Sequence, residues 1–339
     1  MSAIDAGSSG PNRRWLSLRY WLTAQRGIAL ALVLFIIMFG IYGAKQEVGL
    51  APGIINTAAN KAVLLAIVAM AQTVPVLTGG LDLSIGYIFL LSNCLASVLV
   101  IGDPLQTAFG IVLVLLAGTA CGLLNGLIIV FGRLQPIIAT LATSAVYYGL
   151  SLIVRPEPGG SVNFDLAYTM TSSIYGVPVS LLVLLGAVLL VWIPYRRSVI
   201  GRAAYAIGSS EQAAFMSGVP IARAKLFAYS LAGFLAAVAG IMFTFLTYSA
   251  LAKSVIGADY TLNSIAAVVI GGTSLFGGVG SAIGSIFGAF VLKTVGDLLI
   301  VFDINPVLQP LFVGVVLLLA VSLGSLRLLR IKNKLDLYR

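Results

Sequence analysis

The chain has 339 residues, of which 60% are hydrophobic and 9% are charged, and its formal net charge is +9. Its mean hydropathy is +1.07. Soluble domains carry about 25% charged residues, so this composition excludes a soluble globule and predicts a protein solvated largely by lipid. With two cysteines and no histidine, the sequence gives no basis for a disulfide framework, a His-based triad or a His-liganded metal, and no cofactor is expected.

Apolar stretches long enough to cross about 30 Å of hydrocarbon recur along the chain. They predict an all-α, polytopic fold with about ten transmembrane helices. The predicted spans are 27–44, 58–78, 83–101, 106–131, 137–154, 177–194, 225–249, 261–279, 280–300 and 307–326. The N-terminus is polar up to Arg26, and the first apolar run lacks a cleavage site, so no cleaved signal is expected.

The basic residues predict the orientation of these spans. An even number of spans puts both termini on one side, and with the N-terminus inside, 15 of the 20 Lys and Arg residues fall in cytoplasmic segments. The positive-inside rule therefore predicts N-in, C-in. The net charge follows from this topology and gives no support to a nucleic-acid partner. The five remaining basic residues are Lys45, Lys61, Arg155, Lys253 and Lys293.

The polar segments predict the domain organisation. Residues 1–26 and 327–339 are expected to form cytoplasmic tails on either side of a membrane domain, 27–326. Within that domain, residues 155–176 are expected to form an outer loop, and residues 195–224 the longest cytoplasmic loop.

The cytoplasmic loop contains the signals of a short helix. Ser209 and Gln212 fit a capping box, and they predict a helix over residues 210–217. Gly218 is predicted to be the first residue past its end, where Pro220 blocks continuation. The helix would display apolar side chains, which indicates either docking on a partner or packing on the protein's own surface or on headgroups.

A glycine-framed acidic break, Gly79-Gly80-Leu81-Asp82-Leu83-Ser84-Ile85-Gly86, interrupts the apolar sequence. Non-helical backbone at membrane depth is tolerated only where it is buried in protein or lines a wet cavity. A charge there costs about 2.5–3.5 kcal/mol. We therefore expect Asp82 either to cap the next helix start together with Ser84 or to act as a gate residue.

A second break, Val269–Ser281, has five glycines within ten residues. These glycines permit either close helix packing or a stretch of backbone whose polar groups, without helical hydrogen bonds, face the solute path. Val76–Gly86 can be laid on Val268–Gly278 with five identical positions, as in transporters built from internal repeats. The predicted gate and hinge residues are Gly79, Gly80, Asp82, Ser84, Gly86, Gly271, Gly272, Gly277 and Gly278.

The fifth span carries hydroxyl side chains on one helical face, which suits a neutral polyhydroxylated solute better than an ion. The alternative is that each hydroxyl bonds to its own helix. Lys293 and Asp297 are predicted to form a structural i, i+4 pair. The predicted solute-path residues are Asn93, Asn125, Thr140, Thr143, Ser144, Tyr147 and Asn263.

Three motifs, in order, resemble those of the ribose-type ABC importer permeases. The Gly79–Gly86 block is similar to their GGxDLSxG signature, Gly201–Val219 to their cytoplasmic coupling segment, and Val269–Ser281 to their C-terminal glycine-rich block. Gln72 and Pro75, just before the first motif, depart from the plainer apolar run expected there. The resemblance runs from about Ile55 to Leu326.

The resemblance implies a type II importer fold in the bacterial inner membrane. Its expected partners are an ABC ATPase subunit, a periplasmic sugar-binding protein, and a second permease copy or a sister permease. It assigns the short cytoplasmic helix to the cleft of the ATPase. The coupling residues it implies are Gly208, Ser209, Glu211, Gln212, Ala213, Ala214, Phe215, Met216 and Gly218.

The favoured hypothesis is a permease subunit for a monosaccharide or related polyol. The chain is not expected to be an enzyme, because it contains no G-x-x-x-x-G-K-[ST] phosphate-binding loop and would need a partner to hydrolyse ATP. Alternatives are a permease for an amino acid or nucleoside, an ion-coupled carrier and a membrane scaffold. An ion-coupled carrier predicts paired intramembrane acids, and the sequence offers mainly Asp82.

Overall fold

The computed structural model describes residues 26–47, 49–316 and 318. The predicted tail 327–339 and the end of the tenth predicted span lie outside these residues, as does the predicted N-terminal tail apart from Arg26. Arg26 is the first residue of the first described helix.

Helices dominate the described part of the chain. A π-helical turn, Val188–Trp192, joins the helix Val179–Ala187 to the helix Ile193–Arg197, so 179–197 is one continuous helix. The helices are α1 Arg26–Lys45, α2 Pro52–Leu77, α3 Ile85–Leu99, α4 Pro104–Phe131, α5 Pro136–Val154, α6 Phe164–Thr171, α7 Val179–Ala187, α8 Ile193–Arg197, α9 Val199–Ser209, α10 Glu211–Met216, α11 Ile221–Thr247, α12 Ser254–Ile270 and α13 Ala282–Val301, followed by a 3-10 turn, Pro306–Leu308, that opens a last apolar helix.

Seven helices in the described residues are long and apolar enough to cross a membrane. Three shorter apolar helices, Ile85–Leu99, Ser254–Ile270 and Pro306–Val316, lie in the remaining predicted spans. The all-α, polytopic class is therefore confirmed, whereas the number of ten crossings and the side of the termini stay predictions.

The predicted eighth span, 261–279, is wrong at both ends. The helix begins earlier, at Ser254, and it ends at Ile270. Residues 271–281 contain no helix. The apolar pair Leu275-Phe276 keeps hydropathy high beyond the true helix end, so an apolar run by itself does not reveal this break.

Two buried helices form the centre of the bundle. Every residue of α2 from Val63 to Leu77 is buried, as expected for a helix that is hydrophobic on all sides. α11 packs against α4, α3 and α2, and α13 packs against α2 and α1. The glycine breaks at the ends of α2 and α12 are thus attached to the best-packed part of the protein.

Exposed apolar side chains cover the outer faces of α1, α4 and α5. Such a surface is untenable in water but suits contact with hydrocarbon or with another membrane subunit. The exposed residues include Leu30, Ile36, Ile37, Phe109, Leu116, Phe131, Ile138, Leu141 and Ile153.

The predicted outer loop, 155–176, is more ordered than a plain connection. It contains α6 and the first strand of a two-stranded antiparallel hairpin, β1 Ser173–Ile174 and β2 Val177–Pro178. Its start is fixed by Arg155, whose Nε donates to Ser97 Oγ at 2.8 Å.

The predicted pair of Lys293 and Asp297 is wrong. Asp297 Oδ1 lies 3.6 Å from Nζ of Lys61 on α2. Lys293 Nζ instead lies over the ring of Tyr260, 5.1 Å from its centroid. The competing partners come from other helices and are distant in sequence, so spacing along α13 does not identify them.

The crossing of α4 and α11 depends on glycines. A Cβ added at Gly233 would stand 3.0 Å from the Cα of Gly122, and it would clash with the Gly118 carbonyl oxygen. A Cβ at Gly122 would in turn clash with the carbonyl oxygen of Tyr229. The two backbones therefore touch with no side chain between them.

We expect Gly122→Ala to lower the free energy of unfolding by about 1–3 kcal/mol, because the new methyl group forces the helices apart. Gly149→Ala on α5 is the matched control, since no atom lies within 4 Å of its added Cβ. The control should be neutral or stabilising by about 0.5–1 kcal/mol. Denaturant unfolding in detergent micelles measures both, and equal losses of stability would contradict the predicted contact.

Candidate functional site

The first glycine break begins with a turn that closes α2. The Gly79 N–H donates to the Val76 carbonyl oxygen at 2.9 Å, and the Gly80 N–H donates to that of Pro75 at 3.2 Å. Gly79 has a φ of +80°. This pair of bonds is a Schellman motif, which needs a left-handed residue just past the helix end. The sequence prediction of a break at this glycine pair is correct.

The second break closes α12 with the same pattern. The Gly272 N–H donates to the Val269 carbonyl oxygen at 2.9 Å, and the Thr273 N–H donates to that of Val268 at 3.1 Å. Gly272 has a φ of +82°. Structurally, Gly79 therefore corresponds to Gly272, one residue later than the sequence match suggested. The resemblance between the two breaks is one of backbone conformation.

The two breaks meet the end of α9 at one point. The Gly278 N–H donates to the Leu77 carbonyl oxygen at 3.1 Å. A Cβ at Gly208 would clash with that same oxygen and with the Gly278 nitrogen. A Cβ at Gly277 would lie 2.8 Å from the Gly208 Cα and 2.9 Å from the Gly79 Cα. We call these four glycines, Gly79, Gly208, Gly277 and Gly278, the glycine junction.

α9 is attached to the second break by a side chain as well. The Tyr205 hydroxyl donates to the Gly280 carbonyl oxygen at 2.9 Å. Burial raises the pKa of the Tyr205 phenol, with Arg196 opposing the shift, so the phenol keeps the proton that it donates. The sequence motifs predict neither α9 nor this bond, because a tyrosine in the predicted cytoplasmic loop carries no signal of its distant partner.

The predicted cytoplasmic helix exists as α10, directly after α9. Its N-cap is Ser210, whose Oγ accepts from the Ala213 N–H at 3.3 Å. The predicted capping box of Ser209 and Gln212 is wrong by one residue, since Ser209 ends α9. The predicted end is correct: Gly218 follows the helix with a φ of +74°.

α10 presents apolar side chains beside an ion pair. Phe215 is 73% exposed and Met216 is 82% exposed. Glu211 Oε1 accepts from Lys225 Nζ at 2.7 Å, which ties α10 to α11. Glu211 and Phe215 also line an open cleft of about 880 Å³ between α10 and the α4–α5 connection. The predicted coupling residues thus lie on α10 and its two flanks.

A smaller cavity connects α10 with the first break. It measures about 110 Å³, and its walls include Gly79 and Gly80 of the break, the Glu211–Lys225 pair, and Tyr229 of α11. Glu211 of the predicted coupling residues and Gly79 and Gly80 of the predicted hinge residues therefore line one cavity. The motifs in the sequence do not point to Lys225 or Tyr229, because both belong to a different helix.

A buried hydrogen-bond network follows the first break. Asp82 Oδ1 accepts from the Ser84 N–H at 2.9 Å and from the Ser84 hydroxyl at 2.7 Å. Ser84 Oγ accepts from Asn125 Nδ2 at 2.7 Å, and Asn125 Oδ1 accepts from the Tyr147 hydroxyl at 3.0 Å. Ser84 is the N-cap residue of α3, as expected, and its carbonyl oxygen accepts from the Ile88 N–H at 2.8 Å. The expected side-chain cap is wrong, because neither the Ser84 hydroxyl nor the Asp82 carboxylate accepts from the first turn of that helix.

Two threonines hold the start of α3 from other helices. Thr140 Oγ1 on α5 accepts from the Leu83 N–H at 3.0 Å, and Thr261 Oγ1 on α12 accepts from the Gly86 N–H at 3.1 Å. A Cβ at Gly86 would clash with the Gly257 carbonyl oxygen. The far side of the first break is therefore held by hydrogen bonds to α5 and α12, while its near side packs against the glycine junction and, at Gly80, against the side chains of Tyr229 and Pro136.

The predicted hydroxyl face of α5 turns into the protein. Thr143, Ser144 and Ser151 are buried and donate to carbonyl oxygens of their own helix. Asn93 is buried and donates to Thr244 Oγ1 at 2.9 Å, whereas Asn263 is partly exposed. Their role along a solute path stays a prediction.

Comparison with known proteins places this geometry in a family. The family described as "Branched-chain amino acid transport system / permease component" matches residues 54–321. Ribose import permease protein RbsC of Bacillus subtilis (strain 168) is 36% identical over 76% of this chain and 80% of its own length. RbsC of Escherichia coli (strain K12) is 31% identical over 92% of this chain and 97% of its own length.

A third relative is the autoinducer 2 import system permease protein LsrD of Yersinia pseudotuberculosis serotype O:3 (strain YPIII), 32% identical over 76% of this chain and 78% of its own length. No solved structure matches the chain. The matched region contains both glycine breaks, α9 and α10. The chain therefore belongs to the ribose-type ABC importer permease family.

Proposed function

We propose that this permease imports a neutral monosaccharide or related polyol across the bacterial inner membrane, with a separate ATPase subunit supplying the energy. Relatives named as ribose and autoinducer 2 import permeases support the solute class. The absence of a phosphate-binding loop from the sequence supports the proposal that a separate ATPase subunit hydrolyses the ATP.

The ATPase is proposed to dock on α10. The exposed Phe215 and Met216 offer an apolar contact, and the neighbouring cleft is rimmed by Arg133, Arg223 and the Glu211–Lys225 pair. A surface of this kind, apolar at its centre and charged at its rim, is typical of a protein interface.

The observation that carries the mechanism is the position of Gly208. It lies three residues before the start of α10 and touches both glycine breaks through backbone atoms alone. We expect closure of the ATPase to displace α10 and, through the glycine junction, to shift the ends of α2 and α12 together. Such a coupled shift of two helix breaks is a route to alternating access.

The charge distribution supports the proposed orientation. Arg133, Arg223 and Lys225 line the cleft beside α10, and Arg196 lines a cavity beside Gly280 of the second break. Placing this end of the bundle in the cytoplasm satisfies the positive-inside rule. The opposite end then faces the periplasm, where the proposed sugar-binding protein docks, and the exposed apolar helices face lipid and a second permease subunit.

We expect Gly208→Ala to reduce ATP-dependent uptake at least tenfold, because the added methyl group would clash with Leu77 and Gly278. Gly53→Ala on α2 is the control, since no atom lies within 4 Å of its added Cβ. Uptake of labelled sugar into proteoliposomes containing the complete transporter measures both. Normal uptake by the Gly208 variant would contradict the proposed transmission.

Reversal of the α10–α11 ion pair provides a second prediction. Glu211→Lys and Lys225→Glu should each reduce transport several-fold, because each replaces an ion pair of 2.7 Å with two like charges that repel each other. The double variant should recover most of the lost rate, and a double-mutant cycle on the uptake rate measures this recovery. Additive losses would show that the pair does not couple the two helices.

The solute class is tested with D-ribose and L-leucine in the same vesicles, each supplied with its own candidate binding protein. We expect ATP-dependent uptake of the sugar and none of the amino acid, because the predicted path residues are neutral hydroxyls and amides. The reverse result would favour the amino-acid function named in the family's description.

A further inference from the structure

A polar cavity lies at the end of the bundle opposite the glycine junction. It measures about 250 Å³ and lies between the beginnings of α2 and α12 and the ends of α11 and α13. Because α2 and α12 run from this end to the two glycine breaks, the cavity and the junction are joined by the same helices. None of the predicted path residues lines it.

The hydrogen-bonding groups of this cavity are only partly used. The Lys293 ammonium contacts the Tyr260 ring and makes no hydrogen bond or ion pair within the described residues. The Gln309 amide packs over Gly296, and a Cβ added at Gly296 would stand 3.1 Å from it. The Gln309 amide also makes no hydrogen bond within the described residues. Asp297 shares one oxygen with Lys61 at 3.6 Å.

The charged groups of the cavity have both signs. Lys61 and Lys293 each carry an ammonium group, and Asp297 carries a carboxylate. The Lys61 ammonium lies 3.6 Å from the Asp297 carboxylate, so these two charges largely offset each other. The lining therefore offers donors and acceptors together, which hydroxyl groups need because each both donates and accepts.

The remaining wall of the cavity is apolar and includes Leu64, Phe243, Leu246 and Ile300. A sugar ring has a hydroxyl edge and a C–H face, and these match the two kinds of wall. The volume is below the range of about 300–1,000 Å³ that holds drug-sized ligands. The cavity therefore suits one small ring.

We propose that this cavity is a binding site for a single neutral monosaccharide on the periplasmic side of the permease. Lys293 and Gln309 donate hydrogen bonds to its hydroxyl oxygens, and Asp297 accepts from its hydroxyl groups. This assignment rests on the proposed import of a sugar, and it adds to that function a site on the permease itself.

A neighbouring cavity of about 200 Å³ provides a contrast. It also touches Lys293 and Asp297, but Phe35, Phe39 and Phe290 dominate its walls. An acyl chain of a lipid suits that cavity, whereas a polyhydroxylated ring would leave most of its hydroxyl groups unpaired there. The sugar site is therefore assigned to the cavity that contains Gln309.

The test is saturation-transfer NMR on the permease–ATPase complex in nanodiscs, without binding protein or nucleotide. The probes are D-ribose, D-xylose and D-galactose at millimolar concentrations. We expect saturable binding of at least one sugar, weakened about tenfold in Kd by Lys293→Met and by Gln309→Leu, since one charge-assisted or buried hydrogen bond is worth about that factor.

Lys45→Met is the matched control, because the Lys45 ammonium also lies over an aromatic ring, 5.6 Å from the Phe302 centroid, but outside the cavity. Melting temperatures establish that each variant is folded. If Lys293→Met unfolds, Gln309→Leu, at a less buried position, tests the site by itself. Absence of saturable binding for all three sugars, or an unchanged Kd in folded variants, would overturn the site.

Uptake into vesicles, measured on the same complexes with ATP and binding protein, separates this proposal from the function on which it rests. Sugar uptake without saturable binding to the permease would overturn the cavity assignment alone. Binding weakened by the cavity variants, without uptake of any sugar, would support the cavity and overturn the proposed import function.

Discussion

Contact between bare backbones is the constraint on which the half of this permease that contains α9 and α10 depends. Gly208 touches Leu77 and Gly278 with no side chain between them, and Gly277 lies equally close to Gly79. A single methyl group at such a contact clashes with polypeptide that cannot rotate away. Two distant helix breaks thereby pack directly against the segment that leads into α10. We therefore propose that a displacement of α10 reaches both breaks.

The first break is held differently on its two sides. On one side it packs against the glycine junction and against the side chains of Tyr229 and Pro136. On the other, Asp82 and Ser84 are connected to Asn125 and Tyr147 by buried hydrogen bonds. The paired groups of this buried network hold one another in place, while the second carboxylate oxygen of Asp82 has no hydrogen-bond partner within the described residues. Movement at the junction is therefore expected to bend the break rather than to carry α3 along as a rigid continuation of α2.

The features that the sequence predicts correctly are those that depend on the conformation of a few neighbouring residues. The breaks at Gly79 and Gly272 are recognisable because the left-handed turn that ends each helix requires glycine, and the end of α10 at Gly218 is recognisable for the same reason. Contacts between distant segments left no such signal. Asp297 lies four residues from Lys293 yet pairs with Lys61, and the meeting of α9 with both breaks depends on how three separate segments pack.

The central claim, that α10 and the second break move as one body, is tested by double electron–electron resonance on the assembled transporter. Spin labels replace the exposed Met216 and Phe276, with a reference label at Ile138 on α5, in a background without Cys94 and Cys121. On ATP binding, the 216–276 distance should stay constant while both labels shift relative to residue 138. A changed 216–276 distance with residue 276 fixed relative to residue 138 would contradict the account.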